Sequence, residues 1–301
     1  MNAHAAPAVP YALDRLADEA DYAIVGSTDG RSRVSDTRSF PYCAVCHIER
    51  DFGDGRLTGC SAFLVAPRLL LTAAHCVMSP LRARLGLRSQ PVRIRVTPGR
   101  AERGDAPFGS QWATRWRIRS GYLRKPGGDN DVAVIELPRP FRGHPGHFRF
   151  AMPDRAALEG IRQSRLLHVS GYPGDKPTGT QWEHAERLDR IGERRLSYSV
   201  DTCPGHSGSP VWIVPQPGVR PVVIAVHTAG PRPHGEGPWG CRPGVPFAPA
   251  GLFNSGVRIE PGLRAELLAD LRPIDIAGEH RNLLAPPAHS GNITTLPRRF
   301  G

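Results

Sequence analysis

From about residue 43 onward the chain reads as short apolar or alternating runs, repeatedly broken by Gly and Pro. A period of two marks β-strands with one buried face, and the breaks mark turns. Six such runs fall in the first half, at 43–49, 61–66, 69–73, 92–97, 112–118 and 132–137. Six more follow at 166–172, 180–187, 195–200, 210–214, 221–228 and 252–259. Strands at this spacing predict an all-β fold of the barrel or sandwich type. Only 261–271 has a convincing helical period. Pro261 opens its first turn, and Leu263, Leu267, Leu268 and Leu271 share one face, so it should dock by an apolar stripe. Residues 231–250 contain six prolines and read as a long loop. The tail beyond Pro273 should be loosely held.

A chain of 301 residues is long enough for one large or two small domains, each with its own core. With 33 Gly, 31 Pro and 7% aromatics, composition favours turn-rich β structure over long helices. No apolar run approaches the ~18 residues a membrane span needs. The net charge is +11, with two lysines, Lys125 and Lys176, and 37 arginines scattered from end to end. Clustering is loose even at 81–103 and 115–124, which argues for a compositional bias and against a nucleic-acid-binding face. Residues 1–22 lack the basic start and apolar stretch of a secretory signal, whereas six cysteines suggest an oxidising compartment.

Three segments carry candidate chemistry. Leu71-Thr72-Ala73-Ala74-His75-Cys76 delivers a histidine at the end of an apolar strand, Asp129-Asn130-Asp131 precedes an alternating strand, and Gly205-His206-Ser207-Gly208-Ser209 flanks a serine with glycines. A free hydroxyl is too weakly acidic to attack an amide at neutral pH. In this reading His75 takes the proton of Ser207 and returns it to the leaving amine, while Asp131 orients the imidazole and offsets its charge. Gly205 lacks a Cβ, so its N–H can approach an oxyanion together with that of Ser207, each donor contributing about 3 to 4 kcal/mol. Singly, each segment has an ordinary structural reading; their joint order is much rarer. Gly-x-Ser-x-Gly hydrolases place the serine first and the histidine last, which excludes them here.

These segments, with Ala23-Ile24-Val25-Gly26-Ser27, Arg33-Val34, Pro41-Tyr42, Gly171-Tyr172-Pro173-Gly174-Asp175-Lys176 and Val226-His227-Thr228, resemble chymotrypsin-fold serine proteases, and among them the bacterial glutamyl endopeptidases. The resemblance implies two six-stranded antiparallel β-barrels with a C-terminal helix. His75 and Asp131 would come from the first barrel and Ser207 from the second. It divides the chain into an N-terminal extension or propeptide (1–22), a first barrel (23–145), a second barrel (146–260), a helix (261–272) and a tail (273–301). It also implies bridges Cys60–Cys76 and Cys203–Cys241, no cofactor or metal, a monomer acting on protein or peptide substrates, and secreted or periplasmic location. On a strand, Cys43 and Cys46 would lie about 10 Å apart on opposite faces, so free thiols or a local bulge are expected.

The run Cys43-Ala44-Val45-Cys46-His47 spells a c-type haem attachment motif, but its surroundings alternate as a strand. Zinc lacks a second ligand pair of suitable spacing. For specificity, the resemblance matches Thr202 and His227 to the pair that binds a substrate glutamate, joined by the amine that cleavage before Ala23 would create. Asp201 competes, because it stands where trypsin-like enzymes hold the acid for substrate Arg or Lys. The His227 ring would obstruct such a side chain, which favours Glu or Asp. His206 replaces the Asp that trypsin-like enzymes place before the nucleophile, so their activating ion pair cannot form. Cleavage after Arg or Lys, a catalytically idle barrel that binds partners, and an arginine-rich nucleic-acid binder remain the rival readings.

Overall fold

The structure is a computed structural model that describes residues 23–231 and 239–274. The expected extension (1–22), most of the tail (275–301) and part of the proline-rich loop (232–238) lie outside the described residues. After β1 (Ser32–Arg33), seven strands build one sheet: β2 (Val45–Asp51), β3 (Leu57–Ala66), β4 (Leu69–Thr72), β5 (Arg93–Pro98), β6 (Gln111–Ala113), β7 (Arg115–Ile118) and β8 (Ala133–Glu136). They pair antiparallel in the order β6-β5-β2-β3-β4-β8-β7. The two ends of that order, β6 and β7, are neighbours in the chain with only Thr114 between them. The sheet must therefore curl until its edges meet, and it forms a barrel.

The second sheet adds β9 (Arg149–Phe150), β10 (Leu167–Gly171), β11 (Trp182–Glu186), β12 (Leu188–Ile191), β13 (Arg195–Tyr198), β14 (Pro210–Ile213), β15 (Val222–Ala229) and β16 (Asn254–Arg258). Its order is β1-β11-β10-β14-β15-β16-β13-β12, with β9 alongside β15 in a parallel pairing. Here β11 and β12 are joined through Arg187 alone, so this sheet also bends back on itself. Both barrels are thus closed by a strand pair that sequence periodicity reads as one strand or misses. The run at 112–118 is two strands serving opposite edges, and β12 was not expected.

Other departures have local causes. Residues 23–33, assigned on sequence to the first barrel, lie on the second: β1 pairs with β11, and Ala23 and Val25 bridge to Trp239 and Ala248. Three short helices also appear, α1 (Pro80–Arg84), α2 (Ser120–Arg124) and α3 (Arg155–Ser164). In α3 Leu158 and Ile161 form the buried face, and Asp154 caps it by accepting from the Ala157 N–H at 2.8 Å. The C-terminal helix α4 spans Pro261–Leu267, shorter than 261–271. Its continuation is a turn in which the Arg264 guanidinium binds the Leu271 and Ala269 carbonyls.

Each barrel has an apolar core, and a third apolar cluster lies between them. It joins Phe63, Leu71 and Val134 of the first barrel to Phe150, Trp212 and Val226 of the second, and receives Leu263 and Leu267 of α4 with Leu268 just past its end. The Glu260 carboxylate caps α4 through Gly262 and Leu263 N–H and accepts from Arg119 at 2.7 Å, tying the helix to the first barrel. Burial holds His47 down to about 4 and His206 down to about 3, so both are neutral in the fold. The unfolded chain takes up those protons near pH 6.5. Stability should be level above about pH 6.5 and fall on acidification, by at most roughly 1.4 kcal/mol per pH unit for each histidine. Urea midpoints measured from pH 8 to 4.5 check this; a midpoint that stays level contradicts it.

Candidate active site

His75 stands just past β4, in a short 3-10 turn over Ala74–Cys76. Its Nδ1 lies 2.7 Å from Asp131 Oδ2, and its backbone N–H donates to Asp131 Oδ1 at 3.0 Å. One carboxylate thus fixes both the ring and its peptide, with side-chain exposures of 12% and 7%. Asp131 precedes β8, which pairs with β4, so adjacent strands deliver the two residues.

Ser207 arrives from the second barrel on the loop before β14. Its carbonyl accepts from the Ser61 N–H at 2.9 Å and touches the sulfur of Cys76 at 3.6 Å, so it lies against the residue following His75. Cys60 pairs with Cys76, Cα atoms 6.3 Å apart, and clips β3 to the histidine turn. The fully buried Ser61 is the hub: its hydroxyl donates to the Gly205 carbonyl at 2.7 Å and accepts from the Tyr172 N–H at 2.8 Å. Gly205 has φ +103°, and a Cβ there would collide with the Tyr172 carbonyl and come within 2.9 Å of the Gly174 nitrogen. Only glycine fits that position.

The expected specificity residues separate into two groups. His227, on β15, runs beside the Ser207 loop: Gly208 N–H donates to its carbonyl at 2.8 Å, and its own N–H donates to the Ser209 carbonyl at 2.9 Å. Its Nδ1 lies 2.7 Å from the Tyr198 hydroxyl, and burial pushes the ring well below the ordinary histidine range. The buried Thr202 hydroxyl has no hydrogen-bond partner among the described residues. Asp201, by contrast, turns away. Its two oxygens accept from Val25 and Gly30 N–H at 2.7 and 2.8 Å, and it is 2% exposed. Burial pushes its carboxyl up in spite of those bonds. Ala23 sits nearby, with its carbonyl bonded to Thr202 N–H and Asn254 Nδ2 and its N–H to Asn254 Oδ1.

Residues 60–214, just over half of the chain, match the family described as Trypsin-like peptidase domain. The chain belongs to the trypsin-like peptidase family. It is 33% identical over 210 residues to a glutamyl endopeptidase of Bacillus licheniformis, covering 69% of this chain and 61% of that protein. It is 31% identical over 212 residues to a Bacillus subtilis protein named extracellular metalloprotease, covering 69% and 62%. The chain thus spans about three fifths of the length of these relatives. A solved structure titled as a Glu endopeptidase in complex with MPD superposes with a TM-score of 0.63 at 25% identity, over 82% of this chain and 98% of that one. Its likeness supports the chymotrypsin-type double barrel with a C-terminal helix.

Within this trypsin-like peptidase, Cys203 and Cys241 lie at disulfide distance, Cα atoms 5.6 Å apart, and Cys43 and Cys46 are free and buried. Cys43 sits in a turn before β2, its thiol donating to the Pro145 carbonyl, and His47 is buried in the strand, so the haem-like motif is internal structure. Among the described residues no group of three or more His, Cys, Asp or Glu could hold a metal ion, and no helix is long and apolar enough to cross a membrane. Ser61, Tyr198 and Asn254 escape sequence reasoning, since their importance lies in partners more than 25 residues away. Replacing Ser61 by Ala strands the Gly205 carbonyl and the Tyr172 N–H. It should lower stability by about 1 to 3 kcal/mol in urea denaturation.

Proposed function

We propose that this chain is a serine endopeptidase that cuts after Glu or Asp through an acyl-enzyme. The observation that carries the reading is the 2.7 Å bond between His75 and Asp131, held against the loop that presents Ser207. Ser207 is the nucleophile and His75 the base and then the acid. Asp131 keeps Nδ1 protonated so that the other ring nitrogen can take the serine proton. The N–H groups of Gly205 and Ser207 receive the oxyanion.

Thr202 and His227 fit a carboxylate better than a cation. Burial keeps the Tyr198 hydroxyl protonated and the His227 ring neutral, and we read their 2.7 Å contact as the hydroxyl donating to Nδ1. The ring's own proton then resides on Nε2, where the N–H can donate a hydrogen bond to a substrate carboxylate, as can the unpartnered Thr202 hydroxyl. Asp201 already binds two backbone N–H groups, which leaves a substrate Arg or Lys without its counter-charge. Relatives named glutamyl endopeptidase and extracellular metalloprotease, together with two disulfide-distance cysteine pairs, support action outside the cytoplasm.

Fluorogenic peptides differing only at the residue before the scissile bond test the assignment. Cleavage after Glu should dominate, and Ser207→Ala should lower kcat by about 10⁴- to 10⁶-fold. In His227→Ala the kcat/KM for Glu should fall at least about a hundredfold. Equal or faster cleavage after Arg overturns the specificity; undiminished cleavage by Ser207→Ala overturns the mechanism.

A further inference from the structure

Whether the Gly205 N–H can serve an oxyanion depends on which way one peptide plane faces. In a trans peptide the carbonyl and the next N–H point to opposite sides. The Pro204 carbonyl accepts from the Gly174 N–H at 2.7 Å, so the Gly205 N–H of the same peptide is turned away from residue 174. Rotating this plane would break that bond and swing a carbonyl toward the developing negative charge. The orientation therefore depends on what keeps Gly174 in place.

The next residue, Asp175, is gripped by a buried guanidinium. Arg31 Nη1 and Nη2 donate to its two oxygens at 3.0 and 2.6 Å, while Nε and Nη2 donate to Asp29 at 2.8 Å each. The Arg31 side chain is 0% exposed. Lys176 returns to Asp29 at 2.9 Å, and Gly30 N–H is bonded to Asp201, six residues before the nucleophile. A planar fork fixes direction as well as distance, so this pair locks segment 29–31 to segment 174–176. His206, immediately before Ser207, is a neutral buried imidazole, so no carboxylate at that position can anchor the loop.

We propose that Arg31 is a positioning residue which, through Asp175, Gly174 and the Pro204 carbonyl, holds the Gly205 N–H in its oxyanion-binding orientation. This rests on the serine endopeptidase reading. In that reading the oxyanion site is shaped by an internal side chain and does not wait for a new chain terminus. Arg31 touches neither substrate nor reacting atoms, so its effect belongs to the transition state and not to ground-state binding.

The test compares the full-length chain with Asp175→Asn and Arg31→Lys on a peptide cut after Glu. The uncleaved peptide's Kd is measured in the Ser207→Ala background, and a matching peptide boronic acid reports tetrahedral-adduct binding. Asp175→Asn should lower kcat about 10²-fold while KM changes less than about threefold. Boronate affinity should fall in parallel, and peptide Kd should hold. Arg31→Lys keeps the charge without the fork and should fall between, about 10-fold down. Folded variants with kcat within about twofold of the parent overturn the proposal, as does an equal weakening of peptide and boronate, the mark of a merely structural role. If Asp175→Asn does not fold, Arg31→Lys decides by the same criteria. A parent chain that cuts no peptide and takes no fluorophosphonate label sinks the endopeptidase reading itself.

Discussion

Two barrels that each close around their own core have no intrinsic reason to hold their facing loops in one register, and Ser61 supplies much of that register here. Its N–H donates to the Ser207 carbonyl, while its hydroxyl donates a hydrogen bond to the Gly205 carbonyl and accepts one from the Tyr172 N–H. The Thr72 hydroxyl closes the circle by donating to the Ser61 carbonyl at 2.8 Å. One fully buried residue of the first barrel thus meets three segments at once: the Ser207 loop, the Gly205 peptide and the strand that leads to His75. Buried hydrogen bonds have no water to fall back on, so loosening one leaves several groups stranded.

The apolar cluster between the barrels makes that arrangement rigid. Strand β3 is buried on both faces, with Ala62 and Leu64 in the first barrel and Phe63 and Val65 in the seam. Helix α4 then seals the seam with Leu263 and Leu267, and Leu268 follows at its end. Polar contacts such as those of Ser61 can be exact in direction because packing on either side removes the freedom to relax.

Electrostatics divides the site in a similar way. The buried histidines His47, His206 and His227 are kept neutral, while buried charges meet in groups such as Arg31 with Asp29 and Asp175, or Glu49 with Arg95 and Arg100. Asp201 belongs to the structural side of this division: it organises residues 23–30 and not a ligand cation. A carboxylate entering beside Thr202 and His227 would then be the one new charge in its surroundings, met by neutral donors.

Most of the strands, the His75, Asp131 and Ser207 segments and the two long-range cysteine pairings were legible in the residues, because alternation, local motifs and resemblance are properties of the chain read in order. Strand breaks at Thr114 and Arg187 were not, since they express which edge a strand must meet and not what its residues prefer. The docking of residues 23–33 on the second barrel, the diversion of Asp201 to Val25 and Gly30, the Tyr198–His227 bond and the Arg31 fork likewise became visible only in three dimensions. Each joins residues far apart in the chain, and nothing in either residue's local context names its partner. The sequence by itself determined which chemical groups the protein owns and the periods that make them strands; tertiary structure decided which of those groups meet, because hydrogen bonds and ion pairs depend on distance and direction in space, and neither is encoded locally.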